Sequence, residues 1–195
     1  MTDASATRPR IVLVRHGETE WASHGLHTSR TDVPLNDHGR RQAHRLRARL
    51  ARRRFEVVLA SPRRRAADTC RGAGFGGVVE TTDDLVEWDY GDYEGRTTDE
   101  IRRDTPDWSL WRDGAPGGES PLHVAARADR VLERLQPLTG DALLFSHGHF
   151  LRVLAARWLG LTATEGRLFE LGPASISVLG WEREQRVLLL WNEGD

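Results

Sequence analysis

Three short apolar runs, over residues 11–14, 57–60 and 142–145, each break off into polar residues with chemical reach. The first gives way to Arg15-His16-Gly17-Glu18-Thr19, the second to Ser61-Pro62 with Arg65 shortly after, the third to Ser146-His147-Gly148. Continuous apolar runs of this length suit strands buried on both faces, as in a parallel sheet covered by helices. Open sheets of that kind bind ligands outside the carboxyl ends of their strands. The runs therefore predict that Arg15, His16, Arg65 and His147 share one crevice although they lie far apart in sequence.

The intervening segments read as the helices such a sheet requires. Asn36 or Asp37 is a candidate cap for an amphipathic helix with Ala43, Leu46, Leu50 and Ala51 on one face. A strand over 56–60 leads into a helix from about Arg63, ended by Gly72, Gly74, Gly76 and Gly77. A short strand is expected near 78–80. Thr97-Thr98-Asp99-Glu100 reads as a capping box, and Ser120-Pro121 opens a helix with the stripe Val124, Ala128, Val131, Leu132 and Leu135. The third run feeds a helix carrying Leu151, Val153, Leu154, Ala155 and Trp158. Thr162-Ala163-Thr164-Glu165 matches a further capping box, and 174–179 with 186–191 alternate like a terminal hairpin. Residues 18–33 lack a period and read as a long functional loop, and 106–118 as a structured loop anchored by Trp108 and Trp111. The expected fold is α/β, with a mixed, mostly parallel central sheet flanked by helices on both faces.

A chain of 195 residues suits one domain, here residues 10–195, preceded by a flexible tail over residues 1–9. Its 28 basic residues against 29 acidic ones leave the total near neutral. That weighs against a nucleic-acid binder built on the Arg-rich stretch 40–54, and against an anionic membrane as partner. Every basic residue is Arg, so any phosphate must be gripped by guanidinium groups. Cys70 is the single cysteine, which rules out an intrachain disulfide, and no apolar run approaches the length of a membrane span. A soluble, cytoplasmic protein is the expectation.

Phosphate monoesters are dianions that repel anionic nucleophiles, so a neutral imidazole flanked by Arg is a sensible attacker. His16 fits that role, Arg15 and Arg65 can grip the phosphate oxygens bidentately, and His147 adds a cation if protonated. Gly17 and Gly148, each following a His, would let the backbone approach the phosphate. Without Lys, Glu87 is the candidate to protonate the leaving group, among the competitors Asp83, Asp84, Asp89, Asp92 and Glu94. The remaining histidines, His24, His27, His38, His44, His123 and His149, read as surface, cap or supporting residues, His27 being the first to promote.

These blocks, together with Thr31-Asp32-Val33-Pro34-Leu35, Tyr90-Gly91 and Glu94-Gly95, resemble the histidine phosphatase superfamily in its phosphoglycerate mutase-like branch 1. Residues 87–95, 111–114 and 147–152 are most similar to its sedoheptulose-bisphosphatase-like and actinobacterial acid phosphatase groups. The resemblance implies His16 as phosphorylated nucleophile, Arg15, Arg65 and His147 as phosphate pocket, and Glu87 as general acid and then base. It implies Thr28 and Tyr90 as substrate contacts, with Ser29 and Gly148 lining the same pocket, and neither a metal nor a cofactor. The partner it implies is a small phosphorylated substrate, and it leaves a homodimer open. The chain departs from mutases at Ala22 and Ser29, where those carry Asn and Gly. Its short interval from Glu87 to His147 should admit water to the phosphohistidine, which favours hydrolysis over phosphoryl return. A mutase and a noncatalytic phosphate sensor remain the alternatives, although a sensor would have lost the nucleophile or the acid.

Overall fold

The computed structural model describes residues 8–194. Its sheet has six strands, β1 (Ile11–Arg15), β2 (Val57–Ala60), β3 (Glu80–Thr81), β4 (Ala142–Ser146), β5 (Ile176–Glu182) and β6 (Gln185–Glu193), in the spatial order β3-β2-β4-β1-β5-β6. The three apolar runs are the adjacent central strands β2, β4 and β1, parallel to one another, with β3 parallel to β2. β5 runs antiparallel to β1, and β6 antiparallel to β5. The expected mixed, mostly parallel sheet is the one observed.

Side chains alternate across the central strands, so each strand feeds two cores. Ile11, Leu13, Leu59, Ala142 and Leu144 face one side, against α6 (Pro121–Leu135) and α7 (Gly148–Trp158). Val12, Val14, Val58, Ala60, Leu143 and Phe145 face the other, against α2 (Asp37–Leu50) and α3 (Arg64–Gly72). Full burial of each large aliphatic side chain contributes roughly 1.5–3 kcal/mol. The helix starts follow the caps read from sequence. Asn36 accepts from Gly39 N, Ser120 from His123 N, and Thr97 and Glu100 complete both halves of the capping box of α4 (Thr98–Asp104).

Some expectations are corrected. Thr162 opens a 3-10 turn, Ala163–Leu168, and its hydroxyl bonds the Glu165 side chain rather than a backbone N–H, so no capping box forms. The loop at 18–33 contains the one-turn α1 (Glu20–Ser23) capped by Thr19, and 106–118 contains α5 (Leu110–Asp113). β3 begins at Glu80, two residues later than expected, because Val78 is in a turn bonded back to Phe75. Of the expected tail over 1–9, residues 1–7 lie outside the described residues, while the Arg8 guanidinium sits 4.6 Å over the Trp181 ring. None of the described helices is long and apolar enough to cross a membrane.

The end of β1 is strapped to the start of α2. Asn36 donates from Nδ2 to the Glu18 carboxylate, Asn36 N donates to Glu18 O, and Glu18 N donates to Gln42 Oε1. This closeness requires glycine: a Cβ on Gly17 would lie 2.6 Å from Gly39 O, and one on Gly39 would lie 2.1 Å from Glu18 O. Gly17 therefore makes room for α2 rather than for a phosphate. Gly→Ala inside a helix ordinarily stabilises by about 1 kcal/mol. Gly39→Ala is expected to reverse that sign and cost about 1–3 kcal/mol through overpacking, whereas Gly77→Ala, with open space around its Cβ, should change little. Urea midpoints of the two variants test this, and equal midpoints would contradict the close approach.

Candidate active site

The strand register puts the two histidines side by side. Arg15 pairs with Ser146 across β1 and β4, and His16 N donates to Ser146 O at 2.9 Å. The rings of His16 and His147 meet edge to face with centroids 5.2 Å apart. His16 Nδ1 lies 2.7 Å from Gly17 O. A carbonyl only accepts, so Nδ1 carries the proton and Nε2 holds the lone pair. Burial, then the charges of Arg65 and Arg15, push the His16 pKa well below its usual 6.5, so the ring is neutral near pH 7.

His147 is neutral too, for the same reasons: burial first, then Arg65. Arg65 Nε donates to its Nδ1 at 3.2 Å, which leaves the proton on Nε2, 2.8 Å from Ser61 Oγ. The sequence-based notion of His147 as a further cation does not describe this state. Three of the four remaining N–H groups of Arg65, a fully buried residue, go to backbone carbonyls: Thr28 O at 3.0 Å, Thr31 O at 3.2 Å and Ser29 O at 3.3 Å. Arg15 donates from Nη1 to Leu171 O, while its buried Nε finds no acceptor. A Cβ on Gly148 would lie 3.3 Å from that Nε, so glycine here gives the Arg15 side chain its space.

Glu87 is 5% exposed and acts as the cap that α7 lacks at His147. Its Oε1 accepts from Trp88 N and Phe150 N, both at 2.8 Å, and Oε2 accepts from His149 N at 3.1 Å. A carboxylate at a helix N-terminus is well placed electrostatically. Oε1 has both lone pairs occupied and Oε2 keeps one free. The backbone around Glu87 is clamped by Arg127, which donates to Asp84 O, Val86 O and Glu87 O and pairs with Glu119 at 2.7 Å.

A cavity of about 250 Å³ opens on these groups. Arg15, His16, Glu87, Thr28, Tyr90 and Gly148 line it, and so do Ala22, His27, His149 and Arg152. Ser29 does not: its hydroxyl donates to Glu94 at 2.5 Å and accepts from Tyr90 N, which orders the 28–31 loop from behind. Arg65 and His147 also stand behind the lining, against His16. The Tyr90 hydroxyl and His149 Nδ1 share a 2.7 Å hydrogen bond, with the phenol held neutral by burial and the nearby Glu87 charge. Burial lowers the His27 pKa to about 4. Arg152, His149, Leu171 and Arg127 were missed from sequence; only the i, i+3 spacing of His149 and Arg152 on the helix after the third run could have flagged that pair.

The chemistry at hand is a neutral imidazole with an exposed lone pair, guanidinium groups beside it, and a carboxyl oxygen with spare capacity. Comparisons with known proteins agree. The family model for the histidine phosphatase superfamily (branch 1) matches residues 11–194. An acid phosphatase from Mycobacterium tuberculosis is 44% identical over 183 residues, spanning 92% of this chain and 90% of its own. A sedoheptulose 1,7-bisphosphatase from Saccharomyces cerevisiae is 36% identical over 188 residues, covering 78% of this chain and 68% of its own. The solved structure of an open reading frame from Mycobacterium tuberculosis superposes with a TM-score of 0.91 at 42% identity, covering 95% of this chain and 98% of that one. Fold, strand-end residues and relatives converge: the chain belongs to branch 1 of the histidine phosphatase superfamily and is a phosphomonoester hydrolase.

Proposed function

We propose that this protein hydrolyses phosphate monoesters of small metabolites without a metal, by way of a phosphoryl group carried on His16. The observation that carries this reading is the His16 tautomer: Gly17 O takes the Nδ1 proton, and the free Nε2 belongs to a ring that lines the cavity. Acid and sugar-phosphate phosphatases among the relatives fit the same substrate class.

In the first half-reaction the Nε2 lone pair attacks phosphorus and the P–O ester bond breaks. The electron pair leaves with the ester oxygen, which takes the proton that Glu87 carries on the free site of Oε2 in this half-reaction, leaving the carboxylate. In the second, water attacks the phosphohistidine as Glu87 takes its proton. The P–N bond breaks, its electrons return to Nε2, and inorganic phosphate departs. Arg15 and Arg65 hold the charge spread over the phosphoryl oxygens, as phosphoryl transfer requires. His147 packs on the His16 edge and fixes the Arg65 fork. Thr28 and Tyr90 face the remainder of the substrate.

Phosphate release from sugar phosphates, phosphoglycerates and p-nitrophenyl phosphate, with chelator present, tests the reading. His16→Ala is expected to lower kcat by roughly 10⁴-fold or more. Glu87→Gln should lower it by about 10²–10⁴-fold for alkyl phosphates and by less for p-nitrophenyl phosphate, whose phenolate leaves without a proton. Activity that survives His16→Ala sinks the mechanism, and isomerisation of phosphoglycerate without phosphate release would favour the mutase.

The neutral histidine gives a second expectation. In an NMR titration His16 should remain unprotonated at pH 6.5, and Arg65→Gln should move its titration upward because one repelling charge is gone. A wild-type His16 that titrates at or above 6.5 contradicts the assignment.

Stability follows from the same groups. His16, His27, His147 and His149 all have folded-state pKa values below the ordinary 6.5. Below pH 6.5 the unfolded chain therefore binds protons that the folded chain refuses, and stability falls as pH falls. For His27, titrating at about 4, the loss reaches roughly 3 kcal/mol at ~1.4 kcal/mol per pH unit. Urea midpoints should drop between pH 7 and pH 4, and the drop should shrink in His27→Gln; an unchanged drop would contradict a buried neutral His27.

A further inference from the structure

Arg127 is a buried residue of α6 that stays out of the cavity lining. A guanidinium carries five N–H donors in a planar fork, and here all of them are engaged. Nε donates to Glu119 Oε1 and Nη2 to Glu119 Oε2, both at 2.7 Å. Nη1 donates to Asp84 O at 3.0 Å and to Val86 O at 2.9 Å, and Nη2 adds Glu87 O at 3.3 Å. No donor is left for a ligand, in contrast to Arg15, whose buried Nε has no acceptor. Arg127 therefore acts inside the protein, and what it holds is the segment that carries Glu87. Beyond the 3-10 turn Asp83–Leu85 that segment is neither helix nor strand, and Arg127 gives three of its carbonyls their donors.

Its partner grips the far side of the same segment. Glu119 Oε2 accepts from Asp89 N, Glu119 N donates to Asp89 O, and Glu119 O accepts from Trp88 Nε1, each at 2.9 Å. A Cβ on Gly118 would lie 2.2 Å from Asp89 O, so the two stretches pack flush. The fork-to-fork ion pair thus joins two grips, one before Glu87 and one after it. Arg127 also reaches the groups that aim the carboxylate: its guanidinium lies 4.8 Å from the Phe150 ring, and Phe150 N donates to Glu87 Oε1 at 2.8 Å. Trp88 N fills the other lone pair of Oε1, while Oε2 accepts only from His149 N and keeps one site free at the cavity wall. Proton transfer needs heavy atoms within about 3 Å of each other, and a misplacement of about 1 Å can cost ~10²-fold in rate. Buried ion pairs add little stability over apolar residues of similar volume, so the contribution of this one lies in its geometry.

We propose that Arg127, paired with Glu119, is a positioning residue for the reaction: it acts through Glu87, holding the free Oε2 site where the ester oxygen departs. The proposal rests on the reading of Glu87 as the acid and names the pair that keeps it in place.

The readout is kcat/KM for two esters: the alkyl phosphate of the panel above that wild type turns over fastest, whose leaving oxygen needs a proton, and p-nitrophenyl phosphate, whose phenolate does not. Arg127→Gln is expected to lower the alkyl value about 10–100-fold and the aryl value by less than about threefold. Arg127→Lys keeps the charge but has no planar fork, and should resemble Arg127→Gln rather than wild type. Placed in a Glu87→Gln background, Arg127→Gln should cost the alkyl ester less than about twofold more, because the group it positions is gone. Equal losses for the two esters overturn the proposal, and so does an undiminished alkyl loss with Glu87 already replaced; a general loosening of the fold would give both. If Arg127→Gln does not fold, Arg127→Lys and Glu119→Gln carry the same comparisons. Glu87→Gln alone separates the two levels: if it lowers both esters equally, or neither, the acid role of Glu87 fails and the positioning role falls with it, whereas an alkyl-selective loss in Glu87→Gln without one in the Arg127 variants refutes the positioning role alone.

Discussion

Three guanidinium groups gather around one cavity, Arg15 and Arg152 in its lining and Arg65 behind His16, and neutral acceptors, not carboxylates, hold each of them. Arg15 is held by Leu171 O, Arg65 by three carbonyls and an imidazole nitrogen, and Arg152 by Gly166 O and Arg167 O. Elsewhere arginines pair freely with acids, as Arg30 does with Asp89 and Arg130 with Asp84. A carboxylate partner would fix a guanidinium equally well but cancel its charge; a carbonyl fixes it and leaves the charge for a ligand. Burying unpaired cations is unfavourable. Burial indeed depresses the pKa of all three, with Glu87 the largest countering charge. The loops at 28–31 and 171 and the 3-10 turn at 163–168 follow from this constraint, since each must present carbonyl oxygens inward.

Glu87 joins the chemistry to the scaffold. Its carboxylate caps α7, so the helix that presents Gly148, His149 and Arg152 is oriented by the group proposed to move the proton. Arg127 in turn grips the backbone on both sides of Glu87 and stacks its guanidinium 4.8 Å from the Phe150 ring at the start of α7. Removing charge from Arg127 therefore disturbs the acid and the α7 residues together, although Arg127 does not itself line the cavity.

The parts of this arrangement that were legible in the sequence are those set by local rules. Strand runs, helix caps at Asn36, Thr97 and Ser120, and the convergence of His16 with His147 follow from apolar patterning and from the habit of parallel sheets to gather strand ends. What was not legible depends on register between distant segments. Leu171 comes to Arg15 only because β5 adds antiparallel to β1, and nothing near residue 171 announces it. Ser29 looked like a pocket residue by position, yet Glu94, 65 residues away, draws its hydroxyl behind the loop. Gly17 suggested phosphate contact by type, whereas the Gly39 backbone fills the space its missing Cβ leaves. A composition without lysine did carry information: with guanidinium the only strong cation, the donors had to be planar forks held rigidly, and that is how they are found.

Division of labour between arginine and histidine also shapes how the site responds to pH. Arginine stays protonated throughout the working range, and the histidines that line or back the cavity, His16, His27, His147 and His149, are kept neutral by burial. The charge that these arginines and histidines carry is therefore nearly constant across the interval in which a phosphate ester changes from monoanion to dianion, near pH 6. An imidazole beside arginines is repelled as a cation, so the same charges that attract the substrate hold the nucleophile in its reactive form. Burial and the arginine charges thus act together on the lone pair, and the neutral acceptors that fix the arginines without cancelling their charge leave that charge to act on both the anion and His16.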